Sequence, residues 1–413
     1  METLIFKIND PVRDIEKIKE AADCIDSGGL VVFPTETVYG IACKIDPAPS
    51  KYSLKNGTER RCGVARLDEI KKRDADKRYT LHIGEKSKLQ DFVPASTRFG
   101  EAGPTLSLPA KKLVQNAWPG PLTIVFELEK QDIAKLEEKL GTETVKLLYK
   151  DNTIGIRCPD NPVASAFLSL CSFPVVAPSA NTAGNKPAVN AKQAIEQLDG
   201  LVDMILDAGP CKYKKNSTVV KISAPAPSLA SQEAEGESKN GGWQILREGV
   251  YSAQQIREML TVNILFVCTG NTCRSPMAGG FAKKLLAGKL KCDIDRLEQM
   301  GYKITSAGVI ALDGIDASAE AIRFCASRGV DITGHKSRRL TAEMLKEADY
   351  IFAMSAGHRD DIIRLFPASA EKCMLLNDAG DINDPMGGDF EAYKICGLII
   401  EKTVNKRISE LLK

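Results

Sequence analysis

The chain has 413 residues, 43% hydrophobic and 27% charged, a globular balance that excludes extended disorder and collagen-like or low-complexity fibres. At about 100–200 residues per domain, the length predicts two or three domains. Lys and Arg number 56 against 54 Asp and Glu, a net charge of +2, which gives no support to a strongly electrostatic nucleic-acid binder and leaves room only for a local basic groove.

In chain order, the pattern predicts a helix over Asp14–Ser27 and apolar strands at Leu30–Phe33, Leu122–Phe126, Thr153–Arg157, Val175–Ala177, Met204–Leu206 and Thr218–Lys221. Further helices are expected at Pro162–Leu170 and Ala191–Leu198. This mixture indicates an open α/β sheet. Ser223 to Gly242 is rich in Pro, Ser, Gly and Glu and reads as a surface excursion. Trp243 to Leu260 returns with a strand and an amphipathic helix, so the first domain is expected to be 1–260 and the second 261–413. The second alternates regularly: strand Asn263–Val267, helix Pro276–Leu286, strand Lys303–Ser306, helices Ala317–Arg328 and Thr341–Lys346, strand Tyr350–Met354, helix Arg359–Leu365 and final helix Phe390–Leu412. That is the pattern of a doubly wound parallel sheet, whose ligands sit beyond the carboxyl ends of the strands.

No run of about 18 consecutive apolar residues occurs, so no membrane-spanning helix is expected. Residues 1–17 mix acids and bases and lack the apolar core of a secretory signal. Twelve Cys without CxxC pairs argue against a disulfide framework, and three His (His82, His335, His358) against a multi-His zinc site. The expectation is a cytoplasmic protein with reduced thiols.

The sharpest chemical signal is Cys268-Thr269-Gly270-Asn271-Thr272-Cys273-Arg274-Ser275-Pro276, directly after a strand and leading into a helix. Backbone N–H groups in such a loop can converge on an anion, and the helix dipole favours negative charge there. A thiol in that place is expected to ionise readily. Arg274 can grip phosphate oxygens in parallel, and Ser275 can donate to the thiolate. A phosphoryl-transfer site with a cysteine nucleophile follows. Near the end lies Asp384-Pro385-Met386-Gly387-Gly388-Asp389. Asp384 is either a general acid and base or a turn residue capping the helix near Phe390.

These segments, with SAG at Ser306–Gly308 and GHKSRRL at Gly334–Leu340, resemble the low-molecular-weight protein phosphatases over residues 262–413. The resemblance implies Cys268 as nucleophile forming a phosphocysteine, Arg274 as phosphate clamp, Asp384 as general acid and base, and no metal or cofactor. Thr272 stands where tyrosine-specific relatives usually carry an aliphatic residue; bacterial protein-arginine phosphatases have Thr there and DP-x-GG downstream. Phosphoarginine in proteins is therefore the expected substrate, with phosphotyrosine as the alternative. Met386 departs from the aromatic residue usual at its position. Cys273 either forms a disulfide that shields Cys268 or is an inert small residue in a tight loop.

In the first domain, four segments place polar groups at strand ends: Pro34-Thr35-Glu36-Thr37-Val38-Tyr39-Gly40, Trp118-Pro119-Gly120-Pro121-Leu122-Thr123, Ile156-Arg157-Cys158-Pro159 and Pro178-Ser179-Ala180-Asn181. No catalytic carboxylate pair or Cys–His pair is visible, so such a site would work by positioning and charge neutralisation. The segments resemble the Sua5/YrdC family of threonylcarbamoyl-AMP synthases over about residues 10–257. The resemblance implies a YrdC-like open twisted α/β sheet that converts L-threonine, bicarbonate and ATP, with Mg²⁺, into L-threonylcarbamoyladenylate and pyrophosphate. The product feeds the threonylcarbamoyl (t6A) modification of adenosine 37 in tRNAs, making tRNA-modification machinery an expected partner. Thr35, His82 and Arg157 would lie near threonine. Lys71, Arg73, Ser179, Asn181, Ser217 and Arg247 would meet ATP, although Lys71 to Arg73 also reads as a solvated basic run. Asp74 and Arg78 replace expected prolines, and Pro47–Asp68 is longer and more polar than usual. A non-catalytic RNA-binding module is the rival reading of this half.

Overall fold

The computed structural model describes residues 2–45, 51–53, 59–61, 63–72, 79–94, 106–223 and 243–412, with backbone alone at 51–53 and 59–61. Arg73, Asp74, Arg78 and nearly all of the excursion at Ser223–Gly242 lie outside the described residues. The chain separates into two compact units, Met1–Met259 and Leu260–Lys413.

The first unit is built on a ten-stranded mixed sheet. Its order is Leu4–Lys7, Met204–Asp207, Leu30–Phe33, Gly40–Lys44, Val175–Val176, Leu81–His82, Thr153–Arg157, Leu122–Glu127, Thr218–Ile222 and Trp243–Arg247. Leu30–Phe33 is buried throughout, as a central strand covered on both faces must be. Helices Ile15–Asp26 and Pro162–Leu170 pack together over part of this sheet, joining Ile18, Ile25 and Phe167 to Phe33. Three register facts position the site. His82 pairs with Arg157 on the parallel neighbour, Thr123 pairs with Arg157 on the antiparallel neighbour, and Val219 pairs with Thr123. Residues from four strands therefore meet at one end of the sheet.

The second unit is a four-stranded parallel sheet in the order Tyr302–Gly308, Val262–Cys268, Tyr350–Ala353, Cys373–Leu375. Side chains alternate across it. Ile264, Phe266 and Cys268 enter one core with helices Arg274–Leu290 and Phe390–Leu411, while Leu265 and Val267 enter another with Leu345 and Ile362. The first strand lies between the second and third. The strand order therefore reverses at Val262–Cys268, where an open parallel sheet leaves its ligand crevice, and Cys268 ends that strand.

The first helix of this unit spans Arg274–Leu290, not Pro276–Leu286. Cys273 is its N-cap residue, so Arg274 and Ser275 belong to its first turn. At the other end Lys291 adopts a left-handed conformation, φ 50°, and stops it.

Two candidate active sites

In the second unit, Cys268 is 2% exposed. Its Sγ lies 3.0 Å from Ser275 Oγ and accepts from the Asn271 N–H at 3.3 Å. Asn271 has φ 55°, a left-handed conformation Asn tolerates better than most residues. Its side chain is fully engaged: Nδ2 donates to Ser275 Oγ at 2.8 Å and Ser306 Oγ at 2.9 Å, and Oδ1 accepts from the Arg338 N–H at 2.9 Å. His335 Nε2 donates to the Asn271 carbonyl at 2.7 Å. Ser275 Oγ accepts from Asn271, which leaves its own proton available to Cys268. The SAG and GHKSRRL segments thus scaffold the loop. Gly308 shows how closely: a Cβ there would lie 2.5 Å from the Thr269 carbonyl oxygen and 2.9 Å from the Asn271 nitrogen.

Arg274 is 5% exposed. Nη1 donates to the Ile382 carbonyl at 3.0 Å, and Nη2 donates to Thr269 Oγ1 at 3.0 Å and to the Asp384 carboxylate. Its Nε is buried and has no partner among the described residues. The two readings of Asp384 now separate, because the residue capping the final helix is Asp389, whose Oδ1 accepts from the Ala392 N–H at 3.0 Å. Asp384 instead faces the arginine, with its side chain 38% exposed.

One expectation is corrected. Burial raises the Cys268 thiol from its ordinary value, while the Ser275 hydroxyl and N–H, Arg274 and the Asn271 N–H act in the opposite direction. The loop's donors are in place, and burial outweighs them in the enclosed thiol. Thr272 is half-buried at the loop, its Oγ1 3.6 Å from Cys273 Sγ. Cys273 Sγ lies 3.3 Å from both Ser318 Oγ and Tyr393 Oη, and Cys268 and Cys273 are both free thiols.

In the first unit, Arg157 is the hub. It is 5% exposed, and Nη2 donates to Glu36 Oε1 and Thr37 Oγ1, each at 2.7 Å, and to Thr35 Oγ1 at 3.4 Å. Its Nε is buried without a partner among the described residues. Glu36 is 3% exposed, and its other oxygen accepts from the Asp160 N–H at 3.1 Å. Burial, aided by the charge of Arg157, lowers the His82 imidazolium to about 3. The ring is therefore neutral, with Nδ1–H assigned toward the Thr80 carbonyl at 3.2 Å and Nε2 left as an acceptor. Ser217 Oγ lies 3.0 Å from Thr123 Oγ1 and accepts from Arg247 Nη2 at 3.2 Å. Burial first, then Arg157, lowers the Arg247 guanidinium.

Lys71 ends helix Gly63–Lys71 and docks on the Ser179–Asn181 turn. Its Nζ donates to the Ser179 and Asn181 carbonyls and to Asn181 Oδ1 at 2.9–3.0 Å. That turn pairs with the Tyr39–Gly40 strand start through the Ala180 N–H to the Tyr39 carbonyl, 2.7 Å. A cleft of about 770 Å³ opens alongside, lined by Val38, Asn185, Val189, Lys214 and Asn216 among others. Every expected site residue of this unit within the described region is thus drawn into connected clusters. The residue that sequence reasoning passed over is Glu36, whose only signal was an acid inside an otherwise hydroxyl-rich turn. In the second unit, Ser306 and Arg338 belong to the SAG and GHKSRRL segments without a role of their own in the sequence reading, and His358 carried none.

A cysteine in a backbone-lined loop at a strand switch point, overlaid by an arginine and a carboxylate, defines a cysteine-dependent phosphoryl-transfer enzyme. Two strand ends of the first unit, at Arg157 and Arg247, carry guanidinium groups held by Glu36, Thr37 and Ser217. The chain belongs to the Sua5/YciO/YrdC family, described as telomere recombination, whose pattern matches residues 23–231, and to the low molecular weight phosphotyrosine protein phosphatase family, matching residues 263–413. A protein-arginine-phosphatase of Geobacillus stearothermophilus is 34% identical over 153 residues, 36% of this chain and 95% of its own. One of Bacillus subtilis is 31% identical over 157 residues, 37% of this chain and 98% of its own. A threonylcarbamoyl-AMP synthase of Bacillus subtilis is 32% identical over 222 residues, 54% of this chain; the chain spans 53% of that relative's length. The chain is thus a fusion of two enzyme families. No helix among the described residues is long and apolar enough to cross a membrane.

Proposed function

We propose that the first unit makes L-threonylcarbamoyladenylate and pyrophosphate from L-threonine, bicarbonate and ATP, and that the second removes phosphate from phosphoarginine in proteins. The first reading is carried by Arg157, whose Nε, without a partner among the described residues, suits a carboxylate near Thr35 and His82, while Lys71 holds the Ser179–Asn181 turn that the resemblance assigns to the nucleotide. Among the described residues no three His, Cys, Asp or Glu side chains converge on a metal position. Mg²⁺ carried on the ATP phosphates would neutralise their charge. The tRNA-modification machinery is the partner this product serves, and the free cysteines of the described residues suit a cytoplasmic setting.

The second reading is carried by the Cys268–Arg274–Asp384 constellation. An incoming phosphoryl group displaces Asp384 from Arg274 and takes Nε and Nη2 as a bidentate clamp. With Arg274 turned to the loop, the thiolate costs less. The Cys268 thiol proton passes by way of the phosphoryl oxygens to the Asp384 carboxylate, the sulfur attacks phosphorus, the P–N bond breaks, and Asp384 delivers that proton to the leaving guanidine nitrogen. Asp384 then takes a proton from water, which attacks the phosphocysteine and releases phosphate and the thiolate. The Thr272 hydroxyl supports phosphoarginine over phosphotyrosine, because it can orient water or a guanidinium where an aliphatic side chain cannot.

Phosphate release from phosphoarginine and phosphotyrosine peptides, for wild type and Thr272→Ile, tests the second reading. Preference for phosphoarginine that swings toward phosphotyrosine in the variant supports it; preference for phosphotyrosine in both makes the unit a tyrosine phosphatase. Pyrophosphate release from ATP that requires both threonine and bicarbonate supports the first reading, and its absence favours a binding module.

A further inference from the structure

Of the two histidines in the second unit, the reaction as described uses neither. His335 supports the Asn271 carbonyl. His358 is 7% exposed and stands in the first turn of helix Ala356–Leu365, whose N-cap is Ser355. Its Nδ1 lies 2.7 Å from Ser355 Oγ and its Nε2 lies 2.9 Å from Thr269 Oγ1. Thr269 Oγ1 is the same oxygen that accepts from Arg274 Nη2 at 3.0 Å. A guanidinium can only donate, so Thr269 keeps its one proton for another acceptor. Assigning that proton to the imidazole Nε2, the acceptor 2.9 Å away, places the ring proton on Nδ1, facing Ser355 Oγ. Ser355 Oγ also accepts from the His358 N–H at 3.3 Å, so the chain of donors runs consistently from Arg274 through Thr269 and His358 to Ser355. Burial, then the charge of Arg274, lowers the His358 imidazolium, in keeping with the neutral ring.

We propose that His358 is a positioning residue of the phosphatase reaction: by taking the Thr269 proton it fixes the Thr269 oxygen on one Nη2 hydrogen of Arg274, leaving the Nε edge of the guanidinium to face phosphate. This rests on reading the second unit as a phosphatase. Arg274 has two moving partners, Asp384 and the phosphoryl group, and two standing ones, Thr269 and the Ile382 carbonyl. Without the imidazole, the Thr269 proton turns to the nearest other acceptor, which includes the Asp384 carboxylate or the phosphate itself, and the guanidinium loses one of its two fixed points.

The test uses the full chain. His358→Leu is expected to lower kcat/KM about tenfold and to weaken binding of inorganic phosphate, measured by calorimetry, by a similar factor. His358→Gln, which can still accept from Thr269, is expected to recover to within about threefold of wild type. Thr269→Val with His358→Leu is expected to be no worse than Thr269→Val alone. With only three histidines in the chain, a long-range ¹H–¹⁵N imidazole spectrum should show His358 as the Nδ1–H tautomer, its Nε2 signal moving in Thr269→Val. The proposal is overturned if His358→Leu binds phosphate and turns over as wild type does, if its loss adds fully to that of Thr269→Val, or if His358 is the Nε2–H tautomer. A wild type that binds phosphate but hydrolyses no phosphorylated substrate sinks the phosphatase reading instead, and the binding series and the spectrum then decide His358 alone.

Discussion

Arg157 and Arg274 are a matched pair with opposite partners. Both are about 95% buried, both hold a carboxylate through Nη2, and both leave Nε without a partner among the described residues. The carboxylates differ. The Glu36 side chain is 2% exposed and its second oxygen is held by the Asp160 N–H, so both ends of it are fixed. The Asp384 side chain is 38% exposed, and among the described residues its second oxygen reaches only the Met386 N–H in its own loop, at 3.3 Å. That loop contains Gly387 at φ 82°. A locked carboxylate aims an arginine; a half-exposed one can leave it and carry a proton. On the proposed functions, the first unit would offer a preset anion site and the second one that opens when an anion arrives.

The comparison can be broken or sharpened in steps. Cys268→Ser should lower phosphatase turnover on the order of 10⁶-fold while pyrophosphate release by the first unit stays at the wild-type rate; a parallel fall in both would show that the units are not independent. Asp384→Asn should lower phosphatase turnover by about 10²–10⁴ with unfolding free energy within about 0.5 kcal/mol of wild type. Glu36→Gln should do the reverse in kind: removing one partner of a buried pair costs about 3–5 kcal/mol, seen as a lower melting temperature and a raised KM for threonine. Equal stability losses in these two variants would erase the distinction. Gly308→Ala should cost about 1–3 kcal/mol and lower phosphatase activity, because its Cβ meets backbone of the Cys268 loop rather than a flexible side chain.

The smallest effect expected near neutral pH concerns His82. Its folded pKa lies below its ordinary value, so the unfolded chain binds the proton first. Its contribution is neutral above about pH 6.5 and becomes destabilising as pH falls toward about 3, at about 1.4 kcal/mol per pH unit. Chemical denaturation of wild type and His82→Gln across that window should show the difference in slope. The synthase pH profile between about pH 5 and 8 should contain no limb that His82→Gln removes.

Much of this was legible before any coordinates. Leu30–Phe33, Thr153–Arg157, Pro162–Leu170 and Ala191–Leu198 fall where apolar runs and periodicity put them. Other elements carry no such signal. Leu81–His82 is two residues long, too short for a period, yet it brings His82 beside Arg157. Gly40–Lys44 is buried without alternation, so its pattern does not separate strand from loop. Leu4–Lys7 and Cys373–Leu375 are short edge strands of their sheets. The Cys268 loop was legible because its parts are adjacent in sequence. The buried pair of Glu36 with Arg157 was not, because its partners stand 121 positions apart.

By itself, the sequence determined what each segment can do: a thiol with backbone donors and an arginine in one loop, hydroxyls and amides at strand ends, two units each able to bury its own core. Local chemistry needs only neighbours along the chain, and periodicity needs only a few turns or residues. The tertiary structure decided which groups face each other. It placed Asp384 on Arg274 and gave the helix cap to Asp389, joined Lys71 to Asn181, hid Glu36 beneath Arg157, and set His358 behind Thr269. Those pairings depend on strand order and register, which bring distant residues together across a sheet and which no local pattern encodes.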